Sequence, residues 1–175
     1  IYLAAANWFE KEGMIDQALE NLLKANEAEK AGALVSRHAH AEFIKGVGKV
    51  ESWLNKLPPE VREINPSLVI LKAWHAFGQF HLHRIPPILE KVNELIKDKE
   101  PEIQINAELS FFQGNFQYWM GDTEGSLKTL SQALNHYDLL PTHVRCNIEL
   151  VRNMALQKSG AYDEAVNRLI TKTNI

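Results

Sequence analysis

A chain of 175 residues that is 45% hydrophobic and 23% charged has the make-up of an ordinary globular domain, and at this size it can fold without disulfide, metal or membrane support. Its formal net charge of −3 argues against a nucleic-acid surface as its main business. A single cysteine, Cys146, excludes an internal disulfide framework and any thiolate-rich zinc or iron–sulfur site.

In chain order, the opening lacks a basic segment followed by an apolar run and a small-residue cleavage site. No later stretch approaches the roughly twenty apolar residues that span a bilayer. Asn65-Pro66-Ser67 is barred from glycosylation by its proline. A cytoplasmic protein with no membrane contact is the expectation. The chain opens at Ile1 inside a helix-like pattern and stops at Asn174-Ile175 without a cap, as a piece of a longer polypeptide would.

The first structural phrase is Gly13-Met-Ile-Asp16-Gln-Ala18, and it returns near the end as Gly160-Ala-Tyr-Asp163-Glu-Ala165. Weaker copies stand at Gly46, at Gly78-Gln-Phe80 and at Gly121-Asp122-Thr123-Glu124, at intervals of 33, 32, 43 and 39 residues. Such periods are those of a helix–turn–helix repeat. Apolar residues at three- and four-residue steps flank each glycine: Ile85, Ile88, Leu89, Val92, Leu95 and Ile96 after Gly78, then Ile105, Leu109, Phe112, Phe116 and Trp119 before Gly121. Leu127, Leu130, Leu134 and Tyr137 follow, and Val144, Ile148, Val151 and Ala155 precede Gly160. No comparable run alternates with period two, so no sheet is expected.

Turns are predicted at Gly13, Gly46, Gly78, Gly121 and Gly160, with Asp16 or Asp163 accepting from the free N–H groups of the next helix. Prolines at Pro58-Pro59, Pro66, Pro86-Pro87, Pro101 and Pro141 suit loops or first turns, and Pro86-Pro87 keep their helix from beginning much before Ile85. The predicted fold is all-α, a single domain over residues 1–175. It is a right-handed TPR-like superhelix (α-solenoid) of about five antiparallel helix pairs. The repeat is degenerate, because the strict pattern wants Trp, Leu-Gly and Tyr around the turn, whereas Ser159 precedes Gly160 and Asp163 stands at the tyrosine position.

Ala6-Asn-Trp8-Phe9-Glu-Lys-Glu-Gly13, then His38-Ala39, then Trp53-Leu54-Asn-Lys-Leu57-Pro58, then Asn65-Pro66-Ser67-Leu68 and Leu71-Lys-Ala73-Trp74 form an ordered set over residues 1–80. In that order they resemble the helical region after the winged helix in MalT-like, LuxR-family ATP-dependent (STAND-class) transcriptional regulators. The resemblance implies a helical-repeat sensor attached to NTPase and winged-helix modules of the same polypeptide, with a LuxR-type helix-turn-helix closing the chain. His81, His83 and Pro86-Pro87 depart from the family's D-E-A and smooth helix, and residues 101–175 are similar only as generic helical repeats.

Catalytic signatures are absent from these residues. No G-x-x-x-x-G-K-[ST] occurs, and Gly46-Val-Gly48 is followed by Glu51 where a dinucleotide fingerprint needs its third glycine. Neither H-E-x-x-H nor G-x-S-x-G is present. No enzyme, cofactor or metal is therefore expected, although His75, His81 and His83 are the residues that a turn would have to gather around zinc. Trp8, Trp53, Trp74 and Trp119 are expected to pack between helices, and Cys146 to be an inert small hydrophobe.

One polar pattern stands beside the apolar stripes. Asn106, Ser110, Gln113 and Gln117 run at helical spacing, with Lys72, His75 and Gln79 and then Arg145, Glu149 and Arg152 on the helices taken as equivalent. If the first helix of each pair lines a concave groove, these donors and acceptors suit a small polar effector, such as a sugar or peptide, or a regulatory protein. The function expected is non-catalytic effector sensing within a transcriptional activator, without direct nucleic-acid contact by this segment. A free-standing peptide-binding scaffold unrelated to transcription is the other reading.

Overall fold

The three- and four-residue apolar steps become helices throughout a computed structural model of the chain, which describes residues 1–100 and 102–173, with side chains through Asn167. Pro101, Asn174 and Ile175 lie outside the described residues, and with them the expectations for a loop proline at Pro101 and an uncapped end. Among the described residues every regular element is helical and no strand occurs. The chain divides into two compact units, Ile1–Glu100 and Pro101–Ile175.

The first unit holds α1 (Tyr2–Lys11), α2 (Ile15–Lys24), α3 (Ala28–Phe43), α4 (Gly48–Lys56), the single turn α5 (Pro59–Arg62), α6 (Pro66–Gly78) and α7 (Ile85–Ile96). The helices α1, α2 and α3 each pack on their successor, α4 packs on α6 and α6 on α7, and α3 also meets α5 and α6. The core is Leu19, Leu34, Trp53, Leu68, Ile70, Leu71, Trp74 and Ile85, all fully buried. Gly32 on α3 lets Val61 and Leu68 press onto the backbone, since a Cβ there would sit 2.8 Å from Val61 Cγ1. The prolines behave as their chemistry demands: Pro59 and Pro66 open α5 and α6, and Pro86-Pro87 fall in the first turn of α7, which begins at Ile85.

The second unit holds α8 (Ile103–Trp119), α9 (Thr123–Ala133), α10 (Thr142–Lys158) and α11 (Tyr162–Thr173). Here α8 packs closely on α9, and α10 packs on α8, α9 and α11. The tightest approach is at Gly114, whose carbonyl accepts a 2.8 Å hydrogen bond from the buried Ser126 hydroxyl. Leu134 and Tyr137 do not continue α9 as their spacing suggests. The chain tightens into a 3-10 segment over Leu134–Leu139, broken at His136 (φ −114°, ψ 36°).

Asp122 accepts from the Gly125 N–H at 2.9 Å and caps α9, and Asn65 accepts from the Ser67 N–H and caps α6. Asp16 does not cap α2 as expected; it lies inside the first turn and is drawn sideways to Trp53 and Lys49. Turns occur at Gly13, Gly46, Gly121 and Gly160, all with positive φ. The turn expected at Gly78 is displaced: Gly78 is the last residue of α6, pressed against Val47, and the left-handed residue is Phe80 at φ 59°. A non-glycine residue in that region costs about 1–2 kcal/mol.

Candidate functional site

Of the polar residues expected to line a groove, Lys72, His75 and Gln79 belong to the first unit and the other seven to the second. Lys72 is held by its own fold. Its Nζ donates to Glu63 Oε1 at 2.6 Å, Lys91 donates to Glu63 Oε2 at 2.8 Å, and Arg62 Nε lies 3.2 Å from Oε1. Glu63, just past α5, thus ties α6 to α7. Hydrogen bonds from Lys72 and Lys91 hold its carboxyl down at about 2 against an ordinary 4.5.

The sign of the pH effect follows. A depressed carboxylate contributes stability above its unfolded pKa, and that contribution is lost as pH falls from 4.5 toward about 2. Because these side chains are about a third exposed, solvent screening reduces the contribution to about 1 kcal/mol. Thermal midpoints of the native chain and of Glu63→Gln should therefore differ at neutral pH and converge across that window. Parallel curves would show that the network adds nothing.

His75 is half-buried. Its Nδ1 lies 3.2 Å from the Val47 carbonyl and its Nε2 3.5 Å from Glu51 Oε1, so it staples the α3–α4 turn to α6. Gln79, the residue after α6, is exposed.

In the second unit Asn106 and Gln113 are exposed on α8, whereas Ser110 and Gln117 are partly buried. Asn106 and Ser110 line one cleft of about 160 Å³ with Ile103, Ala107, Gln132, Ala133 and His136. That is smaller than a drug-sized ligand needs, and suits one end of an extended polar molecule. Farther along α8, Gln117 Oε1 is buried with no hydrogen-bond partner among the described residues.

Arg145 donates to the Thr142 hydroxyl at 3.0 Å and lies over the Tyr137 ring at 4.8 Å. Glu149, one turn on, is partly buried. Arg152, expected among the groove residues, is enclosed by its own unit. It is 6% exposed, its Nε donates to Ser131 Oγ at 2.8 Å, and its Nη2 meets Glu164 at 3.2 Å. It therefore crosses between α9, α10 and α11 as a packing residue.

Glu108 and Glu10, which the spacing did not single out, are structural centres, as is Asp16 in a role other than the cap expected of it. Glu108 is fully buried on α8 and accepts from Gln104 at 2.8 Å. Its signal was its place among Ile105, Leu109 and Phe112 on the apolar stripe. Glu10 on α1 receives Arg37 at 2.8 Å and His38 at 3.0 Å from α3; burial raises its pKa, but those two partners outweigh it and leave it lowered. Asp16 is likewise raised by burial and brought below its ordinary value by Trp53 and Lys49.

His81 and His83 have ring centres 6.3 Å apart, and His75 is engaged elsewhere. Among the described residues no three His, Cys, Asp or Glu side chains gather as a metal site requires. Trp53 and Trp74 are buried as expected, but Trp8 and Trp119 are exposed, each set edge-on to its neighbour, Phe9 or Tyr118. Cys146 is exposed as well, not packed as a small hydrophobe. No helix among the described residues is long and apolar enough to cross a membrane.

Successive packed helices with polar side chains displayed on their faces make this an all-helical segment. At family level the chain is similar to transcription regulators of the MalT type. It is 27% identical over 112 residues to the HTH-type transcriptional regulator MalT of Serratia proteamaculans, and 26% identical over 104 residues to that of Vibrio parahaemolyticus. Those matches cover 63% and 59% of this chain but 12% and 11% of the relatives, so the chain matches only a small part of their length. No protein-family profile matches it, and no solved structure does.

Proposed function

We propose that this chain is a non-catalytic, effector-sensing and protein-interaction segment of a MalT-like, LuxR-family transcriptional activator. Its helix pairs stack as a right-handed TPR-like solenoid, and it acts in the cytoplasm without touching DNA itself. NTPase and winged-helix modules of the same polypeptide receive the signal. An effector that binds one arrangement of the solenoid better than another shifts the equilibrium those modules feel, by as much as its differential affinity allows.

The observation that carries this reading is the exposed amide face of α8 in a chain similar to MalT regulators. Asn106 and Gln113 offer donors and acceptors that the fold does not consume, and Asn106 opens onto the cleft with Ser110, Gln132 and His136. Groups already fixed on a helix orient a polar ligand at little ordering cost.

Thermal unfolding of the chain with a panel of mono- to tetrasaccharides and short peptides tests it. A ligand at a hundred times its Kd adds about 2.7 kcal/mol, or about 5–10 °C for a chain of this length. Asn106→Ala and Gln113→Ala should leave the ligand-free midpoint nearly unchanged, since both side chains are exposed, and should abolish the shift. Arg152→Ala should instead lower the ligand-free midpoint through a loss of about 2 kcal/mol, because that side chain is buried between helices. A shift that survives both α8 substitutions would move the binding site elsewhere.

A further inference from the structure

The turn between α6 and α7 holds a large aromatic ring in water at the expense of backbone strain. Five turns share one hydrogen-bond pattern. The His81 N–H closes on the Ala76 carbonyl at 2.8 Å, as Met14 closes on Phe9, Glu27 on Leu22, Asp122 on Gln117 and Ala161 on Leu156. The left-handed residue of that motif is Gly13, Gly121 or Gly160 in three of them, Asn26, a residue type that tolerates this backbone, in a fourth, and Phe80 in the fifth. Phe80 is 86% exposed, so no burial offsets its unfavourable backbone. Strain kept without any packing gain points outward, to a partner.

The surroundings say what kind. Leu82 is 43% exposed in the same turn. The α3–α4 turn lies alongside, joined through His75 to the Val47 carbonyl at 3.2 Å, and it exposes Ile44 at 62%. From Phe77 through Leu89 the chain has no carboxylate, whereas His81, His83 and Arg84 fall within it. His83 and Arg84 are exposed, and Arg84 makes no ion pair among the described residues. Lys45 stands on the neighbouring turn, paired with Glu42 at 2.8 Å. The charge of Lys45 is matched by Glu42, so the cation left over is Arg84, on a turn that carries no carboxylate of its own.

We propose that Phe80, with Leu82 in the same turn, Ile44 on the adjoining α3–α4 turn, and His83 and Arg84 at its rim, docks an acidic segment of a partner protein that offers an apolar pocket for the ring. Charge complementarity sets the partner's sign, and one desolvated aromatic anchor carries most of the affinity. This surface belongs to the first unit and does not rest on the sensing role assigned to α8.

The 175-residue chain should be titrated with short synthetic peptides that alternate Asp or Glu with Leu and Trp, and with the same peptides carrying Asn and Gln in place of the acids. The acidic series should bind, and the amide series should bind about tenfold or more weakly. Phe80→Gly should weaken binding about tenfold or more while holding or raising the thermal midpoint, because glycine accepts the left-handed backbone freely. Arg84→Glu should weaken it too, with the fold intact. The proposal is overturned if no acidic peptide binds, if Phe80→Gly binds as the native chain does, or if its midpoint falls, which would make the ring structural. Binding to phosphatidylglycerol vesicles or single-stranded DNA without peptide binding would overturn it as well.

Discussion

Trp53→Ala is expected to lower the unfolding free energy of the first unit by about 3–5 kcal/mol. The indole is 0% exposed, and its Nε1 donates to Asp16 Oδ1 at 2.7 Å. Truncation removes a large packed ring and leaves a cavity at the buried face of α4. It also deprives Asp16 of one of the two partners that outweigh its burial, the other being Lys49 at 2.9 Å. Trp53→Phe keeps most of the packing and should lose only the hydrogen bond and part of the volume, about 1–2 kcal/mol. Urea unfolding followed by circular dichroism separates the two. A loss below 1 kcal/mol for the alanine variant would show that α4 is not anchored by this side chain.

Gly114→Val should destabilise the second unit by about 2–3 kcal/mol through overpacking. A Cβ at Gly114 would lie 2.6 Å from both Cγ and Cδ2 of Leu130, a fully buried residue that has nowhere to retreat. The strain also reaches the Ser126 hydrogen bond to the Gly114 carbonyl. Gly48→Ala is the control, because nothing lies within 4 Å of its added carbon and alanine favours a helix. Equal unfolding midpoints for the native chain and Gly114→Val would mean that α8 and α9 do not meet as closely as described.

Much of the helical pattern was legible in the sequence because it depends on local chemistry. Apolar steps place α8 and α10, Pro86-Pro87 fix where α7 begins, and glycines mark four of the turns. The misplaced turn at Gly78 shows the boundary of that logic. Glycine can serve a turn or a close approach, and here it serves the approach of Val47 while Phe80 takes the left-handed position. No local rule predicts a phenylalanine there.

Partners distant in sequence account for the other differences. Asp16 has the spacing of a cap, yet Trp53 and Lys49 reach it from a different helix. Arg152 keeps the period of a solvated face, but Ser131 and Glu164 enclose it from the flanking helices. Trp8 and Trp119 share residue type and helical spacing with Trp53 and Trp74, yet they are exposed where the other two are buried, because spacing along one helix does not say which of its faces the packed neighbours cover. Of the expected recognition residues, Asn106 and Gln113 keep their side chains outward, Ser110 opens onto the cleft, and Lys72 and Arg152 are engaged in holding helices together.

The most direct test of the proposed sensing role is reporter transcription driven by the full-length regulator to which we propose this chain belongs, with and without Asn106→Ala and Gln113→Ala, across a panel of sugars and peptides supplied to its host. The expected result is a loss of about tenfold or more in the response to whichever compound induces the native protein, with protein level and promoter binding unchanged, as removing two polar ligand contacts of this kind implies. Full induction of the doubly substituted protein would contradict a sensing face on α8.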